Sequence, residues 1–390
     1  MLPVRPIKLE PLPDLPLVSI LISNYNYASF LGEAIESALA QTYENFEIII
    51  CDDGSSDSSR EILEGYRSRN SKIQTIYQPN GGQSLALNAA FLMCAGEIIC
   101  LLDADDVFLP GKLRRVVAAF AAAPDSGIAV NRMLVVDQSR KYLAEMPSLY
   151  NLPCGWQGAS LCSNSPQILP GMPPTSGLSL RRSAAEAIFP LPAALRVYSD
   201  TLIQVVAPLV TSIAAIDEAM SEYRVHEANV AGVSTFTESQ LQKIVLYNRE
   251  IWIAWRRYLS SARAGLPSDF LLPKEMPPSL MDYTYARYRP DENFRTVFRA
   301  IPPARLQSLP RPHQWYWRTS TMLPGWLFRR SFDFVYGQTR SKMIARRFLN
   351  GFRQCARRFP GNGFVRGFEG FFRPKKDSAH VAGQNRAAES

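Results

Sequence analysis

Glu97-Ile98-Ile99-Cys100-Leu101-Leu102-Asp103-Ala104-Asp105-Asp106 sets an apolar run directly against three carboxylates in four positions. An apolar run this short, with β-branched residues, reads as a strand (97–102) buried on both faces. The three carboxylates repel one another, and a hard divalent cation with oxygen ligands is the simplest group to hold them. Mg2+ or Mn2+ bound by such carboxylates commonly bridges to phosphate oxygens. Turn formation and helix capping by Asp are the alternative use of these residues.

The same construction repeats upstream. Leu17–Ser23 reads as a strand followed by Asn24-Tyr25-Asn26, and Phe46–Cys51 as a strand followed by Asp52-Asp53-Gly54-Ser55-Ser56-Asp57. Lys72–Tyr77 is a third strand in this reading. Between the strands lie helical stretches at Ala28–Ala40, 57–68 and Gln83–Cys94. The first of these carries an apolar stripe of Phe30, Leu31, Ala34, Ile35, Ala38 and Leu39. Pro110 opens a further helix to about Ala123, and Gly127–Val136 reads as a fifth strand. Strands alternating with helices predict an α/β, Rossmann-like, mostly parallel sheet with helices on both faces. Ligands of such sheets bind beyond the carboxyl ends of the strands, where these acid-rich segments should meet.

Downstream, residues 137–190 are rich in Pro, Gly and Ser and give little pattern beyond a short strand at Leu178–Arg182. Tyr198–Val210 reads as a helix, Ile213–Ile216 and Ala219–Tyr223 as short apolar pieces, and Gln240–Ser261 as a long helix. Hydrophobic residues make up 46% of the 390 and charged residues 20%, which excludes a wholly disordered chain. No run of 18 apolar residues is present, so no transmembrane helix is predicted. The Pro-rich start lacks the basic flank and apolar core of a secretory signal. The six cysteines (Cys51, Cys94, Cys100, Cys154, Cys162 and Cys355) form no CxxC pair. They read as free thiols, and a reducing, cytoplasmic setting is expected.

Taken in order, several segments resemble the family 2 glycosyltransferases of GT-A fold. They are Val18–Asn26, Ser37–Tyr43, Asp52–Asp57, Gly81–Ser84, Asn88–Ala90, Gly96-Glu97, Asp103–Asp106 and Tyr223–Asn229, and they cover about residues 17–232. The resemblance implies a GT-A-like catalytic domain and inverting transfer of a sugar from a nucleoside diphosphate donor, in glycan or polysaccharide biosynthesis. The acceptor hydroxyl would belong to an unidentified glycan, lipid or protein. It also implies roles. Ser23 and Asn24 would line the nucleotide pocket, Asp53 would contact the base, and Gln83 would bind substrate. Asp105 would hold the metal, with Asp103 and Asp106 beside it on the sugar-diphosphate side. His226 would complete the metal or diphosphate site, and Asp200 would be the catalytic base. Two positions depart from the family pattern: Leu87 stands where Arg is common, and Glu227 where Gly is usual.

The expected organisation is an arm at 1–16, the catalytic domain at 17–235, and a helical, Pro-rich extension at 236–338. A basic amphipathic segment at 339–376 and a disordered tail at 377–390 follow. Residues 301–390 carry 17 Lys and Arg against 4 Asp and Glu, whereas residues 1–300 carry 26 against 31. On a helix, Ile344, Phe348, Phe352, Cys355 and Phe359 fall within about 80° of arc. Lys342, Arg346, Arg347, Arg353, Arg357 and Arg358 occupy the rest. That pattern suits an anionic membrane surface, on the inner face of the membrane for a cytoplasmic protein, or packing on the catalytic domain. No nucleic-acid motif accompanies the charge, so no nucleic-acid partner is expected. A nucleotidyltransferase would also need metal-binding carboxylates, but the basic, Gly-rich phosphate loop expected early in its chain is missing. A non-catalytic nucleotide-binding scaffold would not need Asp105, Asp200 and His226 together.

Overall fold

The computed structural model describes residues 6–147, 150–158, 166, 168–226, 236–261, 275–307, 309 and 311–336. Its nine strands form one mixed sheet: β1 (Val18–Asn24), β2 (Phe46–Asp52), β3 (Ile73–Tyr77), β4 (Ile98–Asp103), β5 (Val107–Phe108), β6 (Ser126–Asp137), β7 (Tyr142–Met146), β8 (Leu178–Arg181) and β9 (Ser212–Val225). The spatial order is β3-β2-β1-β4-β8-β6-β9-β5, with β7 on β6. The half running from β3 to β4 is wholly parallel, as the sequence pattern predicts. Beyond it, β8 runs antiparallel between β4 and β6, while β9 lies parallel to β6.

The parallel register sets the functional rim. Ser23 pairs with Cys51 on one side and Asp103 on the other, and Asn24 pairs with Asp52. The strand ends that carry polar residues therefore stand side by side. Helices α1 (Ala28–Leu39), α2 (Ser59–Arg69), α3 (Gln83–Met93) and α4 (Lys112–Ala122) connect the early strands. The α1 stripe of Phe30, Leu31, Ala34, Ile35 and Ala38 is buried against one face of the sheet. Ala86, Leu87 and Ala90 of α3 are buried against the other.

Two sequence expectations need revision. The pieces at 213–216 and 219–223 are one strand, β9, because the intervening Asp217 and Glu218 loop out of register with β6. Asp217 Oδ1 lies 2.5 Å from Arg132 Nε, and Glu218 pairs with Arg115, so the two acids that break the apolar pattern are held outside the ladder. β5 and β7 are additional strands; β5, two residues long, pairs with Ser221 and Glu222 of β9.

The remaining helices are α5 (Arg182–Glu186), α6 (Ser199–Val210), α7 (Glu238–Ser261), α8 (Leu280–Tyr288), α9 (Phe294–Ala300), α10 (Pro303–Gln307), α11 (Arg311–Ser320) and α12 (Gly325–Tyr336). A third apolar cluster, built on Leu241, Tyr283, Trp317, Phe328 and Phe332, gathers α7, α8, α11 and α12. The predicted amphipathic segment at 339–376 and the tail at 377–390 lie outside the described residues, as does 227–229 of the Tyr223–Asn229 stretch.

The turn into α3 places a glycine where no side chain fits. Gly82 has φ +93°, and an added Cβ would sit 2.5 Å from Arg196 Cα. Gly82→Ala is expected to destabilise the chain by about 1–3 kcal/mol, the usual cost of a glycine-only conformation. Urea denaturation checks this, and an unchanged midpoint would show that the turn relaxes freely.

Candidate active site

β4 delivers Asp103 at its last residue, and the chain turns at once: Asp106 N–H donates to Asp103 O (3.0 Å). One ligand oxygen from each of Asp103, Asp105 and Asp106 lies within 4.8 Å of the others. Asp106 is 1% exposed, and Asp105 is also buried. Burial and the neighbouring aspartates raise the Asp103 carboxyl to about 8 and push Asp106 well above the usual range. Asp106 Oδ2 is buried with no hydrogen-bond partner. A buried carboxylate oxygen lacking a donor, inside a cluster of like charge, fits a hard cation. Asp105 would be its ligand in this trio, with Asp103 and Asp106 beside it.

β9 brings the other end of the chain to this loop. Arg224 N–H donates to Asp106 Oδ1 (3.0 Å). Two residues on, His226 Nε2 lies 3.0 Å from Asp105 Oδ2. The imidazole is held by aromatic rings of α1 and its approach, with Phe30 at 4.5 Å and Tyr27 edge-on at 5.7 Å between centroids. The Arg224 side chain, 1% exposed, lies over the opposite partner of that packing. Its guanidinium carbon is 4.9 Å from the Phe30 centroid, and Nη2 reaches Glu33 Oε2 at 3.0 Å. Burial and then the aspartates push the Tyr27 and Tyr223 hydroxyls far up, so both stay protonated at the rim.

Behind the acidic loop sits Lys112, wholly buried at the start of α4. Its Nζ donates to Asn131 Oδ1 (2.8 Å), Ser176 O (2.7 Å) and Ser221 Oγ (3.0 Å), and lies 4.1 Å from the Phe108 centroid. Burial pushes the lysine down to about 7. Ser176 belongs to a 3-10 turn at Thr175–Gly177, and its hydroxyl accepts from Asp103 N–H at 3.0 Å. One lysine thus fixes β6, β9 and the turn that supports Asp103.

Asp200 lies in the first turn of α6, where Thr201 N–H donates to its Oδ1 (2.8 Å). Burial raises its carboxyl above the usual range. Thr175 lies close to both acids and partly offsets the effect of burial on the Asp103 and Asp200 carboxyls. Gln83 forms a second link: its Nε2 donates to Asp103 Oδ1 (3.0 Å), and its Oε1 accepts from Ser199 N–H (3.3 Å). Tyr198, which precedes the helix, has φ +62°.

The residues expected around a nucleotide occupy the neighbouring strand ends. Ser23 lies beside Asp103 in the sheet. Asn24 Nδ2 donates to Asp52 Oδ1 (2.7 Å) and Ser55 Oγ (3.2 Å), while Asn24 Oδ1 is buried without a partner. Asp53 Oδ1 accepts from Gln78 Nε2 (2.6 Å) and Gly81 N–H (2.9 Å), and Oδ2 from Gly82 N–H (2.7 Å). Asp53 therefore builds the turn into α3, with a lone pair left on Oδ2 for one more donor. The structure brings together Asp103, Asp105, Asp106, His226, Gln83 and Asp200, with Ser23 alongside and Asn24 and Asp53 at the adjoining strand end.

Sequence reasoning did not single out Tyr27, Glu33, Lys112, Thr175, Ser176 or Arg224 as site residues. Arg224 stood inside the Tyr223–Asn229 stretch, and a lysine two positions after Pro110 on a helix with an apolar face was a usable signal. Nothing local marked Glu33 or Thr175.

Residues 19–164 match the family model described as glycosyl transferase family 2. An uncharacterized glycosyltransferase of Nostoc sp. is 36% identical over 220 residues, 54% of this chain and 66% of that protein. An uncharacterized glycosyltransferase of Rickettsia prowazekii is 44% identical over 102 residues, 26% of this chain and 31% of that protein. The chain thus spans less than two thirds of the length of either relative. The crystal structure of S. aureus TarS 1-349 in complex with UDP-GlcNAc superposes with a TM-score of 0.50 at 18% identity, covering 77% of this chain and 87% of that one. The shared fold is GT-A-like.

The buried carboxylates give the site a pH signature. Between the ordinary aspartate value of 3.8 and about 8, folded Asp103 keeps a proton that the unfolded chain has released. Rising pH across that window therefore favours unfolding. The melting temperature of metal-free protein should fall from the acid end to the alkaline end of this window, and Mn2+ should remove the fall. A flat metal-free profile would show that the carboxylates are already compensated.

Proposed function

We propose, from the match of residues 19–164 to glycosyl transferase family 2, that the chain transfers a sugar from a nucleoside diphosphate donor to an acceptor hydroxyl with inversion. The observation that carries the reading is the acidic trio at the β4 end, with its partnerless buried oxygen, joined through Gln83 to Ser199, the residue before Asp200. TarS binds UDP-GlcNAc, so uridine diphosphate sugars are the first donors to test.

Asp105 and His226 are the proposed ligands of a Mg2+ or Mn2+ ion, with Asp103 and Asp106 beside them. When bound, the ion supplies positive charge that stabilises the departing diphosphate. Ser23, Asn24 and Asp53 line the nucleotide side, where the open lone pair on Asp53 Oδ2 suits a base N–H. Gln83 orients Asp103 toward the sugar-diphosphate side. Asp200 takes the proton of the acceptor hydroxyl as its oxygen bonds to C1 of the sugar. The C1–oxygen bond to the diphosphate breaks, and the nucleoside diphosphate leaves with that electron pair. A raised carboxyl makes Asp200 a stronger base than an exposed aspartate, as proton abstraction requires. The acceptor would be a glycan, lipid or protein hydroxyl. The cytoplasmic setting and the basic segment at 339–376 remain sequence expectations.

Two substitutions test the assignment. Asp105→Ala should abolish Mn2+-dependent binding of UDP by calorimetry without unfolding the chain. Unchanged metal-dependent affinity would remove Asp105 from the site. Asp200→Asn should keep donor affinity and lower turnover by about 10²–10⁴-fold, the range of a general base. Loss of donor affinity with turnover per bound donor preserved would make Asp200 a donor-binding residue.

A further inference from the structure

Helices α11 and α12 carry aromatic residues on both of their faces. Inward, Trp317, Phe328 and Phe332 pack around Tyr283 of α8. The centroids of Trp317 and Phe328 lie 5.9 Å and 5.7 Å from that of Tyr283, so the two helices flank one ring. Trp315 is about 200° around α11 from Trp317, and Trp326 about 200° around α12 from Phe328. Both tryptophans therefore look away from Tyr283.

These outer residues are unusually exposed for their type: Trp315 71%, Met322 82%, Trp326 64% and Phe334 74%. Single exposed apolar residues need no explanation, but four large ones within residues 311–336 are the raw material of an interaction surface. Arginines interleave with them. Arg311, Trp315 and Arg318 follow one another on α11, and Trp326, Arg330 and Phe334 on α12; all are exposed. The one acid of this hairpin, Asp333, accepts a bond from Phe236 N–H (3.0 Å). Met322 also lines a cleft of about 280 Å³ with Arg295, Phe298, Arg299 and Thr321. Neither Arg295 nor Arg299 forms an ion pair among the described residues.

We infer that the outer faces of α11 and α12, together with the Arg295–Arg299 cleft, are a docking surface for an anionic lipid membrane. Charge selects this occupant. Residues 337–390 of the same chain carry 12 Lys and Arg against 3 Asp and Glu, so they share the sign of this face. A second copy presenting the same face would also meet it with like charge. An anionic leaflet offers the opposite charge, and its interface is where Trp and Arg settle together, rings at the headgroup level and guanidinium groups on phosphate. The cleft would take a lipid phosphate while Met322 and the rings enter the acyl boundary. No described helix is long and apolar enough to cross a membrane. The surface is independent of the glycosyl-transfer reading and can be tested without donor or acceptor.

The test uses the full chain and vesicle flotation, comparing phosphatidylglycerol mixed into phosphatidylcholine with phosphatidylcholine alone. The wild type should float with the anionic vesicles only, and added salt should weaken binding without abolishing it. A Trp315→Ser, Met322→Ser, Trp326→Ser triple variant should melt as the wild type does, because these side chains are exposed. It should bind anionic vesicles about tenfold or more weakly. Arg295→Gln with Arg299→Gln should weaken binding and flatten its salt dependence. Wild-type flotation by the triple variant would overturn the proposal and leave attachment to other residues. A lowered melting temperature in the triple variant would show the face covered by the chain itself. A wild-type dimer that the triple variant dissolves would show a second copy there, and release by inorganic phosphate against matched chloride would show a site for a free anion. Each of these three results would also overturn it.

Discussion

Three carboxylates on one tight, mostly buried turn cannot all ionise without help, because desolvation and mutual repulsion act in the same direction. The protein supplies part of that help from its own backbone. Arg224 N–H faces Asp106, and the Ser176 hydroxyl holds the backbone of Asp103. Gln83 adds a side-chain donor. None reaches Asp106 Oδ2. What remains is a site whose folded form is under electrostatic stress until positive charge arrives, and the surrounding elements resist that stress. Lys112 is the clearest case. A buried lysine is itself unfavourable, yet this one satisfies three acceptors and lies where its charge favours the neighbouring Asp106.

Strand register turns this local stress into a common site. Parallel pairing sets Ser23 beside Asp103 and Asn24 beside Asp52. Parallel β6–β9 pairing carries Arg224 and His226 to the same rim from more than 100 residues away in sequence. The outward loop at Asp217 and Glu218 keeps β9 in one piece over this length. Without it, two acids would enter the ladder beside the apolar β6, and the strand would end before reaching Asp106.

The early strands, α1 through α4 and the acid-rich strand ends were legible because each depends on a short window of sequence. A buried strand shows as an apolar run, and an amphipathic helix as a stripe such as Phe30 to Ala38. β5 could not be read this way: two residues, Val107 and Phe108, become a strand only because Ser221 and Glu222 lie opposite. The continuity of β9 was hidden by the very acids that bulge from it. In the site, the carboxylates were visible by type and spacing, but their partners were not. Thr175 and Ser176 sit in a Pro- and Ser-rich stretch with no periodicity. They matter because the turn leading into β8, which runs antiparallel to β4, lies beside Asp103, whose N–H donates to the Ser176 hydroxyl. Asp53 shows the converse: its position suggested a ligand contact, and the structure also gives it the work of holding Gln78, Gly81 and Gly82.

The segment matching the family ends at residue 164, yet Asp200, Arg224 and His226 all lie beyond it, and Asp200 depends on elements later still. Tyr198, two residues before Asp200, adopts a left-handed backbone conformation that costs a non-glycine residue about 1–3 kcal/mol. Its ring meets Tyr247 of α7 edge-on, with centroids 5.7 Å apart. The same helix places Ile251, Trp252, Trp255 and Leu259 in the apolar core against the sheet, and Leu241 in the cluster of the C-terminal helices. A single helix thus packs on the strained turn that presents Asp200, anchors in the core beneath the site, and through Leu241 joins the apolar cluster of the helices that bear the exposed aromatic residues. The C-terminal helices are in this way tied to the geometry of the carboxylate rather than appended to it.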